Sequence, residues 1–239
     1  MSDSTLAKLA TRSARIGAVG ALALVIAVGA GSWIFAQSGG ASAKEPLDLP
    51  SGGRGDLIDE KDTPETLRFY GSQYEGDGFF WCLDHSGSMS EGDLLGQLKS
   101  EMTESISQLS EGSEFSIVAF STGTTVWSAI PKEGNPGNRA SATAFVQSLV
   151  AGGATCLAPA GVQTISISNL CDKEHKLIIV LSDGEPNCPG PAETLAAMVA
   201  ANWQHTPIHT VYIASDFAGI QFMQQLAAMN GGTFSTPLD

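Results

Sequence analysis

Three short stretches of the chain gather oxygen-bearing side chains in turn-like sequence: Asp84-His85-Ser86-Gly87-Ser88, Gly152-Gly153-Ala154-Thr155 and Asp183-Gly184. Two carboxylates and three hydroxyls are hard oxygen donors, a set suited to magnesium, or manganese, rather than to zinc or copper. Gly87 lacks a Cβ, so the backbone there can turn tightly and let Ser86 and Ser88 face one point. Hydroxyls are weak, neutral ligands. A cation held by few carboxylates stays electrophilic, and a carboxylate from outside can complete its octahedron, so such a site grips a ligand more readily than it hydrolyses one. Glu91, Asp93 and Glu185 lie close by in sequence and deepen the local negative potential. They favour cation capture, and partners whose own carboxylate is surrounded by basic residues.

Other chemistries find little support. His85, His175, His205 and His209 form no i,i+4 helical pair, and no Cys-x-x-Cys occurs, so a zinc centre has no ligand set. There is no Gly-x-Ser-x-Gly elbow and no Gly-x-x-x-x-Gly-Lys phosphate loop. The Asp-x-Asp of phosphatases that form an aspartyl-phosphate is missing, because Ser86 takes the second place. His85 reads as a solvated loop histidine, with a part in partner choice as the alternative.

The three oxygen-rich stretches need elements that bring them to one place, and the pattern from residue 78 onward supplies them. Residues 78–83 are a short apolar run without polar alternation, as in a strand covered on both faces. Leu94, Leu95, Leu98, Met102, Ile106 and Leu109 fall at helical spacing, and Ser90-Glu91-Gly92-Asp93 before them supplies a capping signal. Residues 115–120 and 124–127, joined through Gly123, read as an antiparallel hairpin. Helices follow over about 139–150 and 158–167, then an aliphatic strand over 177–181 that ends at Ser182-Asp183-Gly184. Pro191 opens a helix to about Trp203, 208–214 is a strand, 217–229 a helix stopped by Asn230-Gly231, and 233–236 a last edge strand. The expected fold is α/β: a doubly wound, mostly parallel six-stranded sheet with one antiparallel edge strand and helices on both faces. Ligands of such sheets bind at the carboxyl ends of the strands, where all three stretches fall.

At these residues the chain resembles the von Willebrand factor type A (vWA) family and its metal-ion-dependent adhesion site. Asp84-x-Ser86-x-Ser88, then Thr155, then Asp183-Gly184 match that site, and the likeness runs from about Phe79 to the C-terminus. The resemblance implies that Ser86, Ser88 and Thr155 touch the metal directly. It implies that Asp84 and Asp183 act directly or through water, and that an Asp or Glu of a protein partner takes the sixth position. Two departures stand out. Ala154 intervenes where the family often has Gly-Gly-Thr, and Trp81 and Cys82 replace aliphatic residues of the first strand. The function this implies is cation-dependent binding of a protein ligand, in adhesion or in assembly of a complex, and not catalysis. Two other readings stay open: a structural or interaction module with no functional metal, and a metal-dependent hydrolase, which would need a general base the sequence does not obviously supply.

Four cysteines, 82, 156, 171 and 188, sit in a chain expected to be exported, where disulfides are allowed. Cys156 and Cys188 belong to the metal-side loops. Cys82 lies within the first strand and Cys171 at the opposite end of the sheet, roughly 16 Å away by strand rise, beyond the ~7 Å limit on Cα separation. At most one bridge is therefore expected, Cys156–Cys188, with Cys82 a buried free thiol.

The first 43 residues read as a separate object. Residues 16–36 are 21 positions without a charge, preceded by Lys8, Arg12 and Arg15 and carrying Trp33 near the far end. As a helix they would span roughly 31 Å, about the thickness of a bilayer core. The expected organisation is a basic cytoplasmic segment at 1–15, a transmembrane signal-anchor helix at 16–36, a flexible acidic linker at 37–77 and the vWA domain at 78–239, outside the cytoplasm. Ala41-Ser42-Ala43 offers the alternative of cleavage and a secreted or periplasmic product. The linker contains Arg54-Gly55-Asp56 and, at residues 67–70, one short stretch that could be structured. Composition settles one partner class. The chain has 12 Lys+Arg against 25 Asp+Glu, so it has no basic face with which to displace counterions from nucleic acid.

Overall fold

A computed structural model describes residues 64–237. The candidate span at 16–36, the Arg54-Gly55-Asp56 tripeptide and the cleavage site near Ala43 lie outside the described residues. Among those described, no helix is long and apolar enough to cross a membrane.

Two antiparallel strands open the described chain, β1 (Glu65–Phe69) and β2 (Ser72–Gly76). The sequence reading of 37–77 as a linker allowed one short structured stretch at residues 67–70; the ordered part is larger, a hairpin over residues 65–76. Tyr70 and Gly71 join the strands, both at positive φ (48° and 76°), the geometry whose twist matches a tight hairpin. Leu67, Phe69 and Tyr74 point inward and are buried. Each strand alternates over only five residues, too short a run to separate from a polar tether by pattern alone.

The main sheet takes its direction from four strands: β3 (Gly78–Asp84), β4 (Glu114–Phe120), β7 (Lys176–Ser182) and β8 (Ile208–Tyr212). Flanking them are β5 (Thr124–Val126), β6 (Lys132–Glu133) and β9 (Gly231–Ser235). The order is β5-β4-β3-β7-β8-β9, parallel from β4 to β9 and antiparallel at β5. A seventh strand, β6, pairs with the start of β4. Six strands were expected; β6 is two residues long and leaves no periodicity to read.

Every residue of β3 is buried, and its side chains divide by parity, as a pleated strand requires. Phe79, Trp81 and Leu83 enter one core with Phe115, Ile117, Ile179 and Leu181. That core is closed by α1 (Leu94–Gln108), α2 (Pro136–Ser148) and the β1–β2 hairpin. Phe80 and Cys82 enter the other with Val118, Phe120, Ile178 and Val180. It is closed by α3 (Leu157–Ser168), α4 (Pro191–Ala201) and α5 (Phe217–Met229). Cys82 and Cys171 are free and buried, and the thiol of Cys82 is pushed up to about 12 by burial.

Helix starts differ from expectation in two places. The stretch Ser90–Asp93 does not cap α1. Two short 3-10 turns occupy Gly87–Asp93, and Asp93 takes a left-handed φ of 61° without a side-chain cap bond. Its carboxylate instead lies over Gly96, where a Cβ would stand 2.4 Å from Oδ1. Helix α2 begins three residues earlier than its apolar periodicity suggests, because Asn135 accepts from Asn138 N at 2.9 Å and Pro136 fills the first position.

Candidate metal centre

Parallel pairing of β3 with β4 and β7 brings the carboxyl ends of all three strands to one edge. Asp84 is the last residue of β3 and is fully buried. Its Oδ1 accepts from Ser86 N at 2.7 Å and its Oδ2 from Ser182 Oγ at 2.5 Å. These two bonds fix the carboxylate and also close the turn that follows it. The Oγ atoms of Ser86 and Ser88 are 3.2 Å apart, and Ser88 Oγ donates to Asp183 Oδ1 at 2.8 Å. Asp84, Ser86, Ser88 and Asp183 thus form one chain of contacts.

Thr155 approaches from the third loop. It is buried, its N–H donates to Asn187 Oδ1 at 3.1 Å, and its carbonyl accepts from Asn187 N at 3.1 Å. A Cβ on Gly184 would lie 3.8 Å from Thr155 Oγ1, which sets the hydroxyl beside the Asp183-Gly184 turn. All five residues named from the sequence meet at this edge. Ser182 and Asn187 complete their support. Ser182 stood in the sequence as a strand end with no role attached, and Asn187 carried no signal.

The loops are tied to one another by backbone as well. Gly87 N donates to Gly153 O and Gly152 N to His85 O, each at 3.0 Å. His85 N reaches Phe120 O at 2.8 Å, and Cys156 N reaches Ser121 O at 3.0 Å. Gly153 has a φ of 86°, and a Cβ there would stand 2.5 Å from Thr122 Oγ1. The extra Ala154 fits because its N–H donates to that same Thr122 hydroxyl at 2.9 Å. Cys156 and Cys188 are joined in a disulfide with Cα atoms 4.6 Å apart, pinning the Thr155 loop to the Asp183 loop. His85 is not a solvated loop histidine. Its Nδ1 lies 2.9 Å from Val150 O, and since a carbonyl only accepts, Nδ1 carries the proton and ties the loop.

Two carboxylates share this buried edge. Burial pushes Asp84 up to about 6, with Asp183 nearby adding to the rise. Burial also raises Asp183, with Glu91 and Asp216 contributing in the same direction. Among the described residues the side-chain hydrogen-bond partners of the Asp84 carboxylate are Ser86 and Ser182, and that of the Asp183 carboxylate is Ser88; none is cationic. Among the described residues no group of three His, Cys, Asp or Glu gathers to hold a metal. The assembled donors are instead hydroxyl-rich with two carboxylates, a set that fits magnesium or manganese.

A second layer lies behind Asp183. Tyr212, at the end of β8, donates its hydroxyl to Asp216 Oδ2 in a short hydrogen bond and lies 3.1 Å from Asp183 O. Asp216 Oδ1 caps α5 by accepting from Gly219 N at 2.8 Å. A Cβ at Gly219 would stand 2.0 Å from Tyr212 Oη, so only glycine lets the ring lie against that turn. Burial and the neighbouring carboxylates raise the Tyr212 phenol, and the bond from Tyr212 lowers Asp216.

Residues 79–185 match the family model of the von Willebrand factor type A domain. Solved structures agree on the fold. A von Willebrand factor type A protein from Catenulispora acidiphila is 20% identical with a TM-score of 0.58, over 70% of this chain and 41% of that one. The vWF domain of the type V pili tip protein from Porphyromonas gingivalis is 12% identical with a TM-score of 0.58, over 73% of this chain and 91% of that one. A pilus adhesin from Lactobacillus rhamnosus GG is 15% identical with a TM-score of 0.57, over 67% of this chain and 28% of that one. The chain therefore spans less than half the length of the Catenulispora protein and of the adhesin. Comparison with curated proteins finds no match.

Proposed function

We propose that this chain is a membrane-anchored, extracytoplasmic binding module that holds a protein ligand through a divalent cation, magnesium or manganese. Ser86, Ser88 and Thr155 would ligate the ion directly, Asp84 and Asp183 directly or through water. When bound, the cation supplies a Lewis-acidic position for a carboxylate of the partner. The chain's own residues do the rest. Ser182 and Ser86 N hold Asp84 in place, and the disulfide and the Asn187 bonds hold Thr155 against the Asp183 turn. Residues 16–36 would provide the anchor.

One observation carries this reading: two buried carboxylates, Asp84 and Asp183, are linked through Ser86 and Ser88, and among the described residues neither has a cationic side chain as hydrogen-bond partner. The fold it shares with a pilus tip protein and a pilus adhesin supports an interaction module over an enzyme. The satisfied Ser88–Asp183 and Ser182–Asp84 bonds favour a second reading, a module that uses no metal. Calorimetric titration with magnesium and with manganese decides between them, with Ser86→Ala and Asp183→Ala as controls. The proposal expects saturable uptake of one ion, lost in both variants. Heat no different from buffer would leave the metal-free module.

A further inference from the structure

We propose that the metal rim contains a second, apolar subsite, and that the segment it accepts carries a carboxylate, a basic residue and a large apolar side chain close together. This inference rests on the metal-dependent reading above and adds the side chains that flank the carboxylate.

Phe217 is the first residue of α5 and is 78% exposed. It follows Asp216, which receives the Tyr212 hydroxyl lying 3.1 Å from Asp183 O. Val150, whose carbonyl accepts from His85, is 76% exposed on the Thr155 side of the same edge. These are the two most exposed large apolar side chains among the described residues. The loop that leads into Phe217 lines a cavity of about 270 Å³ through Ala214 and Ser215, with Leu94, Tyr212, Ile213 and Pro237 in its other walls. Its wall is one step from the candidate donors, since Ile213 N donates to Ser182 O at 3.2 Å and Ser182 Oγ holds Asp84. A cavity of that size takes one leucine, phenylalanine or methionine side chain.

Charge selects the occupant. The loops of this edge, residues 84–93, 121–123, 150–156, 183–190 and 213–216, hold Asp84, Glu91, Asp93, Asp183, Glu185 and Asp216 and no Lys or Arg. Such a rim repels a bare acidic segment, so an acidic residue docks only at the ion itself, and basic neighbours offset the surrounding carboxylates. Apolar groups on both sides then favour a ligand that buries a hydrophobic anchor next to its carboxylate.

Selection of a random heptapeptide display library on the immobilised full-length chain in magnesium, with elution by EDTA, tests this. The expected consensus holds an Asp or Glu with an aliphatic or aromatic residue within three positions and at least one Lys or Arg. A synthetic peptide of that consensus should lose about tenfold in affinity on Phe217→Ser, a change at an exposed position, and should lose binding when its own Asp becomes Asn. Peptides that share only the carboxylate and ignore Phe217→Ser would overturn the apolar subsite and leave the metal reading intact. Equal recovery of apolar peptides on Asp183→Ala would overturn the coupling of the subsite to the ion. A library with no EDTA-eluted enrichment would overturn the metal reading, and the subsite with it.

Discussion

Ser88 and Asp183 are 95 positions apart in the chain, yet Ser88 Oγ donates to Asp183 Oδ1 at 2.8 Å. That bond joins the turn after β3 to the turn after β7, and it exists because the two strands pair in parallel from Gly78 with Lys176 through Leu83 with Leu181. A register slip of one residue would turn every β3 side chain to the opposite face and take the serines out of reach. The site is therefore as exact as the sheet beneath it.

Ser182 should matter as much as a direct ligand, although it is expected to touch no metal. Its hydroxyl holds Asp84 Oδ2 at 2.5 Å, and loss of such an outer partner typically weakens a metal site about 10–100-fold. Ser182→Ala should lower magnesium affinity by that order in calorimetry while circular dichroism stays unchanged. Unaltered affinity would mean that Asp84 does not need the bond.

The disulfide should stabilise the domain and the site together. Cys156 and Cys188 are 32 positions apart, and closing a loop of that length contributes about 3–4 kcal/mol on the chain-entropy account. The double variant Cys156→Ser with Cys188→Ser should lose that much in urea unfolding and should bind magnesium more weakly. A drop in stability with metal affinity untouched would show that Asn187 alone holds the two loops.

Much of this was legible in the sequence, for physical reasons that differ from element to element. Residues 177–181 are aliphatic throughout because both faces of β7 are covered, and continuous apolarity is the one pattern a short buried strand leaves. Asp84, Ser86, Ser88, Thr155 and Asp183 could be picked out because carboxylates and hydroxyls clustered in turn-like sequence are the residue types that hard-cation ligation needs. Ser182 and Asn187 could not, because a serine or an asparagine in a loop looks the same whether or not it holds a neighbour. The β1–β2 hairpin escaped for a third reason. Its inward residues Leu67, Phe69 and Tyr74 are embedded in polar sequence, and only the surface of α1 reveals what they cover: Ser105 Oγ donates to Arg68 O at 2.7 Å and Gln108 Oε1 accepts from Arg68 N at 2.8 Å.

That hairpin should behave as core. Phe69 is wholly buried beside Tyr70, the ring centroids 5.0 Å apart at 89°. Phe69→Ala should cost about 3–5 kcal/mol in chemical denaturation, as removal of a buried phenylalanine does. A loss below about 1 kcal/mol would return residues 65–76 to the status of a tether.

His209 should make stability depend on pH in a definite direction. Burial holds it below the usual histidine range. Thr233 N donates to its Nδ1 at 3.1 Å, so that nitrogen is unprotonated in the folded chain. Between the lowered folded value and the unfolded value of about 6.5 the unfolded chain binds more protons. Stability from this group is therefore complete above about pH 6.5 and is lost as pH falls. In EDTA Asp84 runs the other way. Its folded value, raised to about 6, makes the folded chain bind more protons than the unfolded one, so its contribution falls as pH rises from about 4 to 6. The contrast with His209→Asn isolates the histidine, because the asparagine oxygen can still accept from Thr233. Urea midpoints of the unaltered chain should fall further than those of the variant between pH 7.5 and 5.5. Parallel curves would contradict the assignment.

The most direct measurement is an anomalous difference map from crystals of this protein grown with manganese. The account predicts one strong peak within bonding distance of the hydroxyls of Ser86, Ser88 and Thr155, on the side faced by Asp84 and Asp183. A map with no peak among those five side chains, in crystals where manganese saturates the solvent, would contradict it.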